Sequence, residues 1–298
     1  MNKVSKKHHY LPRKYLKGFS DNNNLFYIYD KEKDIIFQQY PDSFFFKNNL
    51  NTFEINGAEK DFLENLYTNT ENLFWPSYEK IINSTPKEYI NGLDKLNLYL
   101  FLLFLFWRLP FNEKIVENFV DIAFKKGEKL DFFSIVGKNG ETGVFENEII
   151  GKIKGLKDFK KILKILLPFY PFHKIKDWSI SPLNWKFLYT QDNTSWYITS
   201  DNPIITNKEN YNNLDSLLED ILFPISGKIL LVGTKVKDNA IFSGRTIIDY
   251  NVAMIHNANR FVACHNKDLL LAMIDVYKND KFHNKEHIII PELFNSIK

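Results

Sequence analysis

Apolar and polar positions alternate in two ways along the chain: helical spacing dominates the first half, and short strand-length apolar runs dominate the second. Near the start, Leu25-Phe26-Tyr27-Ile28-Tyr29 and Ile35-Ile36-Phe37-Gln38-Gln39 flank the polar stretch Asp30-Lys31-Glu32-Lys33. Two strand-forming runs joined by a polar tetrapeptide predict a hairpin. From Gly57 to Ile82 the period changes. Phe62, Leu66, Leu73, Tyr78 and Ile81 stand three to seven residues apart with charges between them, which predicts a helix with a break at Pro76. Asp94 is placed to cap a second helix that Leu109-Pro110 ends after Arg108, and Glu113 to Lys126 has the spacing of a third. Asn139-Gly140, between Phe132–Ile135 and Val144-Phe145, carries hairpin turn chemistry. Lys157 to Leu167 alternates lysine with Ile and Leu at helical spacing.

Beyond Pro168, strands are expected at Trp185–Leu188, Trp196–Thr199, Ile204-Ile205, Ile229–Val232 and Phe261–Ala263, and helices at Thr246–Asn259 and Lys267–Tyr277. Without an internal repeat or low-complexity linker, the pattern predicts one domain over 1–298. It would comprise a basic arm and hairpin (1–56), a mainly helical part (57–170) and a strand-rich part with late helices (171–298). The expected fold class is α+β, a helical layer packed on a mostly antiparallel sheet.

Composition changes this picture little. Aromatic residues reach 16%, led by 27 Phe, and a well-filled core is the first explanation, a base-binding surface the second. The net charge of +3 sets 39 basic residues against 36 acidic ones, too even a balance to announce a nucleic-acid binder. The distribution is less even: Lys3, Lys6, Lys7, Arg13, Lys14 and Lys17 precede the first acidic residue, interleaved with Tyr10, Tyr15 and Phe19. A single cysteine, Cys264, excludes an internal disulfide and fits a reducing compartment. The longest apolar run, Leu98–Trp107, has ten residues where a membrane span needs about 20. No signal peptide is visible, so the expectation is a cytoplasmic protein without membrane contact.

Four groups could carry chemistry. His8-His9-Tyr10-Leu11-Pro12-Arg13 puts a potential acid, base or metal ligand (His9) beside a phosphate clamp (Arg13), stiffened by Pro12. Its bland alternative is a basic tail, the more so for His8. Thr199-Ser200-Asp201-Asn202-Pro203 follows a predicted strand, so Asp201 could bind a divalent metal or orient a histidine and Asn202 could hold an oxyanion. The same residues also make good turns. Glu64 and Glu71, seven apart on a predicted helix, share a face and could join Asp201 at Mg or Mn, although solvated glutamates are commoner. Arg108, ending an apolar helix, must snorkel outward or meet a buried acid or ligand.

Other motifs are set aside. His283-Asn284-Lys285-Glu286-His287 matches an inverted zinc-protease pattern, but only eleven residues follow it and Ile288-Ile289-Ile290 reads as a strand. Cys264 and His265 would point to opposite faces of a strand, leaving an inert thiol. Neither Gly137-Lys138-Asn139-Gly140 nor Gly227-Lys228-Ile229 completes a phosphate-binding loop.

The head His9-Tyr10-Leu11-Pro12-Arg13 with Leu16 and Phe19, the Thr199–Pro203 segment, Phe223-Pro224-Ile225-Ser226, and Asn251 before Ala258 together resemble the family known as domain of unknown function 4238. Glu64, Glu71 and Arg108 match its looser features. The resemblance implies a one-domain bacterial protein and supplies no reaction. The set His9, Arg13, Glu71, Arg108, Asp201 and Asn202 is the kind a phosphodiester-cleaving site needs, with Asp201, Glu64 and Glu71 holding a divalent metal. The leading expectation is therefore a metal-dependent nuclease or phosphodiesterase, of the sort used as an effector in bacterial defence. The alternatives are a non-catalytic module binding nucleotide or nucleic acid through His9, Arg13 and Arg108, and a transferase using a nucleotide cofactor with His9, Tyr10 and Glu71.

Overall fold

The computed structural model describes residues 6–55, 58–60, 62–84, 90–116, 134–136, 142–144, 159–169, 185–190, 196–206, 218, 220–233, 244–283 and 285–297. The expected hairpin forms from β2 (Phe26–Asp30) and β3 (Ile35–Gln39), with Phe26 opposite Gln39. Asp30 shapes its turn by accepting the Glu32 and Lys33 N–H groups at 3.0 and 3.3 Å, the local bonding that makes aspartate a turn former. Ahead of it, β1 (Lys7–His9) leads into the short helix α1 (Arg13–Lys17), and β1 pairs antiparallel with β4 (Phe46–Asn48). From Lys7 on, the expected basic arm therefore forms regular structure. Its aromatics Tyr10, Tyr15 and Phe19 are buried in the core, because apolar rings gain more from packing than from solvent.

The first long helix begins later than its spacing predicts. Residues from Gly57 were expected to be helical, but β5 (Phe53–Ile55) and β6 (Ala58–Lys60) form an antiparallel pair there, and α2 runs Phe62–Asn83. Pro76 does not break it. Its missing N–H removes one ladder bond, while burial of the neighbouring Phe74, stacked 4.0 Å from Phe101, holds both sides of the helix in place. The buried face is also rotated from the one expected: Leu63, Tyr67, Thr70, Phe74, Ser77, Tyr78 and Ile81 point inward, while Phe62 and Leu73 are 57% and 65% exposed. Helix α3 (Gly92–Arg108) is capped by Asn91, which accepts the Asp94 N–H; Asp94, expected to be the cap, takes the Ser77 hydroxyl at 3.0 Å and pairs with Lys80. Leu109 turns extended before Pro110 and ends α3 as expected.

Of the expected helix from Glu113, residues 113–116 are helical and the remainder lies outside the described residues. The pair β7 (Ser134–Val136) and β8 (Thr142–Val144) is antiparallel, with Asn139-Gly140 outside the described residues. Helix α4 spans Phe159–Leu166.

The strand-rich part contains β9 (Lys186–Tyr189), β10 (Thr199–Ser200), β11 (Ile205–Thr206), β12 (Ile221–Ser226), β13 (Ile229–Val232) and β14 (Phe261–Cys264). The late helices are α5 (Gly244–Asn257), α6 (Lys267–Phe282) and α7 (Glu286–Ile297). Ile288–Ile290, read as a strand, belongs to α7, where Ile289 and Ile290 join Leu293, Phe294 and Ile297 on the buried side at helical spacing. Trp196–Ile198 is not strand; only Thr199 and Ser200 pair with β14.

Two four-stranded antiparallel sheets result, in the orders β10-β14-β2-β3 and β11-β12-β13-β9. Helices lead in the first half and strands in the later part, so the fold is α+β with antiparallel sheets as expected. The fully buried β12 was not anticipated; its proline, Pro224, stands where the register shifts, the position at which a sheet tolerates a missing N–H. One apolar core joins the head, α2, α3 and β12, a second packs α5, α6 and α7 on β2, β13 and β14, and a small third cluster gathers Phe53, Leu63, Tyr67 and Phe104. At the junction of head and sheet, the Gly227 N–H donates to the Gly18 carbonyl at 2.9 Å, and a Cβ on Gly227 would lie 2.0 Å from the Trp196 ring.

Candidate functional site

The head residues take distinct places. His8, expected to be solvent-exposed, is fully buried: its Nδ1 accepts the Asn51 N–H at 2.8 Å and lies 3.8 Å from the Glu64 carboxylate. The β1–β4 pairing turns His8 inward and His9 to the other face. His9 is 6% exposed and holds Nε2 3.3 Å from the Asp42 carbonyl. A carbonyl only accepts, so Nε2 carries the hydrogen and Nδ1 is the basic nitrogen. Burial, then Arg13 and Arg108, hold the His9 pKa below the usual histidine range, against the Asp42 carbonyl and carboxylate. Arg13 is exposed, with Nε 3.9 Å from the Asp42 carboxylate.

Beside the head is a small cleft, bounded by Pro12, by Tyr67 and Glu71 of α2, and by Phe101, Phe104 and Arg108 of α3. Arg108 is itself buried and meets a half-buried acid: Nη1 donates to Glu71. The guanidinium also lies 4.6 Å from the centre of the Tyr67 ring. Arg108 Nε and the Tyr67 hydroxyl are buried without a hydrogen-bond partner. Guanidinium presents five N–H donors in a fixed fork, so the one bonded to Glu71 leaves capacity for a ligand oxygen. His9, Arg13, Glu71 and Arg108 therefore come into one neighbourhood from three segments. Glu64 stands a turn before Tyr67 and accepts from Asn51 Nδ2.

The late motif is arranged otherwise. Asp201 Oδ1 accepts the Asn259 N–H at 2.8 Å, and Oδ2 accepts those of Arg260 and Phe261 at 2.9 and 3.1 Å. Burial pushes its carboxyl up to about 6 against the pull of these donors. Asn202 Nδ2 donates to the Asn257 carbonyl at 3.1 Å, and Asn257 Nδ2 returns a bond to the Asn202 carbonyl at 2.8 Å. Asn251 spans Trp196–Ile198, donating to the Trp196 carbonyl and accepting the Ile198 N–H. Thr199 Oγ1 lies 2.7 Å from the buried Tyr15 hydroxyl. Together these side chains form a clasp that fastens α5 and β14 to an otherwise irregular segment. Asp201 reaches the head only through the field it exerts on Tyr10, whose hydroxyl is raised by burial and by that carboxylate. Tyr10 is core, packed edge-on against Phe45, and does not line the cleft.

Among the described residues no group of three or more His, Cys, Asp or Glu side chains is placed to hold a metal ion. Asp201, Glu64 and Glu71 are each engaged by a different partner set and do not fit as a shared metal site. Cys264 and His265 approach to 4.0 Å instead of facing apart, because β14 ends at Cys264 and strand alternation does not extend to the next residue. The thiol is buried and its pKa pushed up to about 12, so the expectation of an inert cysteine stands. Gly227 forms the β12–β13 turn, and Gly137–Gly140 lies outside the described residues. No described helix is long and apolar enough to cross a membrane.

Tyr67, Asn51 and Asn257 were not picked out from the sequence. Tyr67, one helical turn before Glu71, had a detectable signal in its spacing; Asn51 and Asn257 become visible only when distant segments meet. A family model described as "Protein of unknown function (DUF4238)" matches residues 7–268, a span that includes both the head and the clasp. No curated protein and no solved structure matches the chain.

Proposed function

The chain belongs to the DUF4238 family, and from that premise we propose that it binds the phosphate of a nucleotide or nucleic acid in the cleft between the His9–Arg13 head and the Arg108–Glu71 pair. The observation that carries this reading is the unpartnered Arg108 Nε and Tyr67 hydroxyl, two buried donors lining a cleft that Arg13 flanks. Buried donors without acceptors are costly, and a phosphate oxygen would satisfy both. Glu71 and Asp42 oppose a purely electrostatic capture. Their role in this reading is to hold Arg108 and Arg13 in place, so that affinity comes from directed hydrogen bonds more than from net charge.

Titration with inorganic phosphate, pyrophosphate and thymidine 5′-monophosphate tests the proposal. One site is expected, with Arg13→Ala lowering affinity about tenfold, the value of a charge-assisted hydrogen bond. Absence of binding by all three ligands rejects it.

A second reading, phosphodiester hydrolysis, is favoured by His9. Its lowered pKa keeps the ring neutral near pH 7, with Nδ1 able to take a proton from water. Since Asp201, Glu64 and Glu71 do not form a metal set, no step is assigned to a metal. Release of nucleotides from an oligonucleotide, lost in His9→Gln while phosphate binding persists, would support this reading. Equal rates in the two proteins would rule it out.

A further inference from the structure

We infer, resting on phosphate binding in the cleft, that the ligand is a single-stranded nucleic acid lying along the outer face of the β1–β4 ribbon. In this ribbon Lys7 is opposite Asn48 and His9 opposite Phe46. Residues two apart on a strand share a face, so Lys7 and His9 project with Phe46 between them. The contacts agree: Lys7 Nζ is 4.7 Å from the centre of the Phe46 ring, and the His9 ring is 5.6 Å from it. Lys7 is exposed and Phe46 half-buried, so part of the ring is presented to solvent.

The row thus runs exposed cation, half-buried ring, buried imidazole, then the exposed Arg13. Asp42 lies beside Arg13 at one end of this row. Alternation of cations with an accessible ring is how proteins hold single strands without reading sequence: bases stack on the ring and phosphates follow the cations. A duplex keeps its bases inside, where a half-buried ring on a short ribbon does not reach them. A mononucleotide offers one phosphate for a row carrying cations at both ends. The aromatics interleaved with the basic head residues, Tyr10, Tyr15 and Phe19, are all core; Phe46, brought in by pairing, offers the ring.

The test compares thymidine 5′-monophosphate with thymidylate oligomers of two, four and eight nucleotides on the full chain. Affinity should rise at least tenfold from the monophosphate to the octamer. Phe46→Ala should lower octamer affinity about tenfold and leave monophosphate affinity unchanged, with Phe46→Tyr retaining wild-type binding. Lys7→Gln, at an exposed position, should weaken the octamer and reduce the slope of log affinity against log salt by about one. Monophosphate binding with no gain from length, or an octamer insensitive to both Lys7→Gln and Phe46→Ala, overturns the single-strand assignment and leaves the cleft reading standing. Failure of every ligand to bind overturns both.

Discussion

The head and the clasp are both short polar motifs of the sort that hold catalytic residues, yet they use their side chains in opposite ways. At the clasp, Asp201, Asn202, Asn251 and Asn257 each bond to backbone groups, so their polar capacity serves an irregular segment that no strand pairing secures. At the head, Arg13 is exposed and the neighbouring Arg108 and Tyr67 retain unpartnered donors. Residue type alone does not separate the two, since aspartate and asparagine suit a turn as well as an oxyanion or a metal. What separates them is whether the backbone has already claimed the side chain.

Substitutions should split along that line. Asp201→Ala removes the acceptor of three buried N–H groups and should lower stability by roughly 3 kcal/mol or more in denaturant titration; phosphate affinity of the folded fraction should stay as it was. Arg108→Met breaks the pair with the mostly buried Glu71 and should cost about 2 kcal/mol, much of it recovered in the double variant with Glu71→Leu. Unlike the clasp variant, both proteins should lose phosphate binding. A single-variant cost equal to that of the double would show that the pair itself contributes nothing. Arg13→Ala should change stability by no more than about 0.5 kcal/mol, as exposed sites do, while reducing affinity. A clasp variant that loses ligand but keeps stability would dissolve the distinction.

Acidity gives the two regions opposite signs. Asp201, raised to about 6 in the folded state, binds more protons there than in the unfolded chain between pH 4 and 6. Its contribution to stability is full below about pH 4 and lost as pH rises through 6. His9 is lowered, so its contribution is present above the ordinary histidine value and lost as pH falls through the folded one. Unfolding midpoints from pH 4 to 8 should show Asp201→Asn removing the first slope and His9→Gln the second; exchange of the two effects would reverse both assignments.

Much of the architecture was legible because it depends on local spacing. The β2–β3 hairpin, β13, β14 and the late helices α5 and α6 sit close to where apolar periodicity puts them, and Arg108 meets the half-buried acid Glu71. The α2 face was misjudged because exposed Phe62 and Leu73 resemble core residues in a one-dimensional pattern. The convergence expected was of His9, Arg13, Arg108 and Asp201; His9, Arg13 and Arg108 lie near one another, and Glu71 joins them through Arg108. Exclusion of Asp201 was not legible, because its three donors come from Asn259, Arg260 and Phe261 and are identified only once β14 lies beside β10.

The close approach of Gly18 to Gly227 also sets an order of events in time. Residues 7–19 leave the ribosome long before their anchors at Thr199 and Gly227, and at typical synthesis rates the interval is roughly ten to forty seconds. Throughout it Tyr15, Leu16 and Phe19 lack the sheet they pack against, and the nascent head is a natural client for a chaperone. Docking the head is a late, long-range closure. A chain interrupted before β12 keeps the local β1–β4 pairing of its head but lacks the Gly227 anchor.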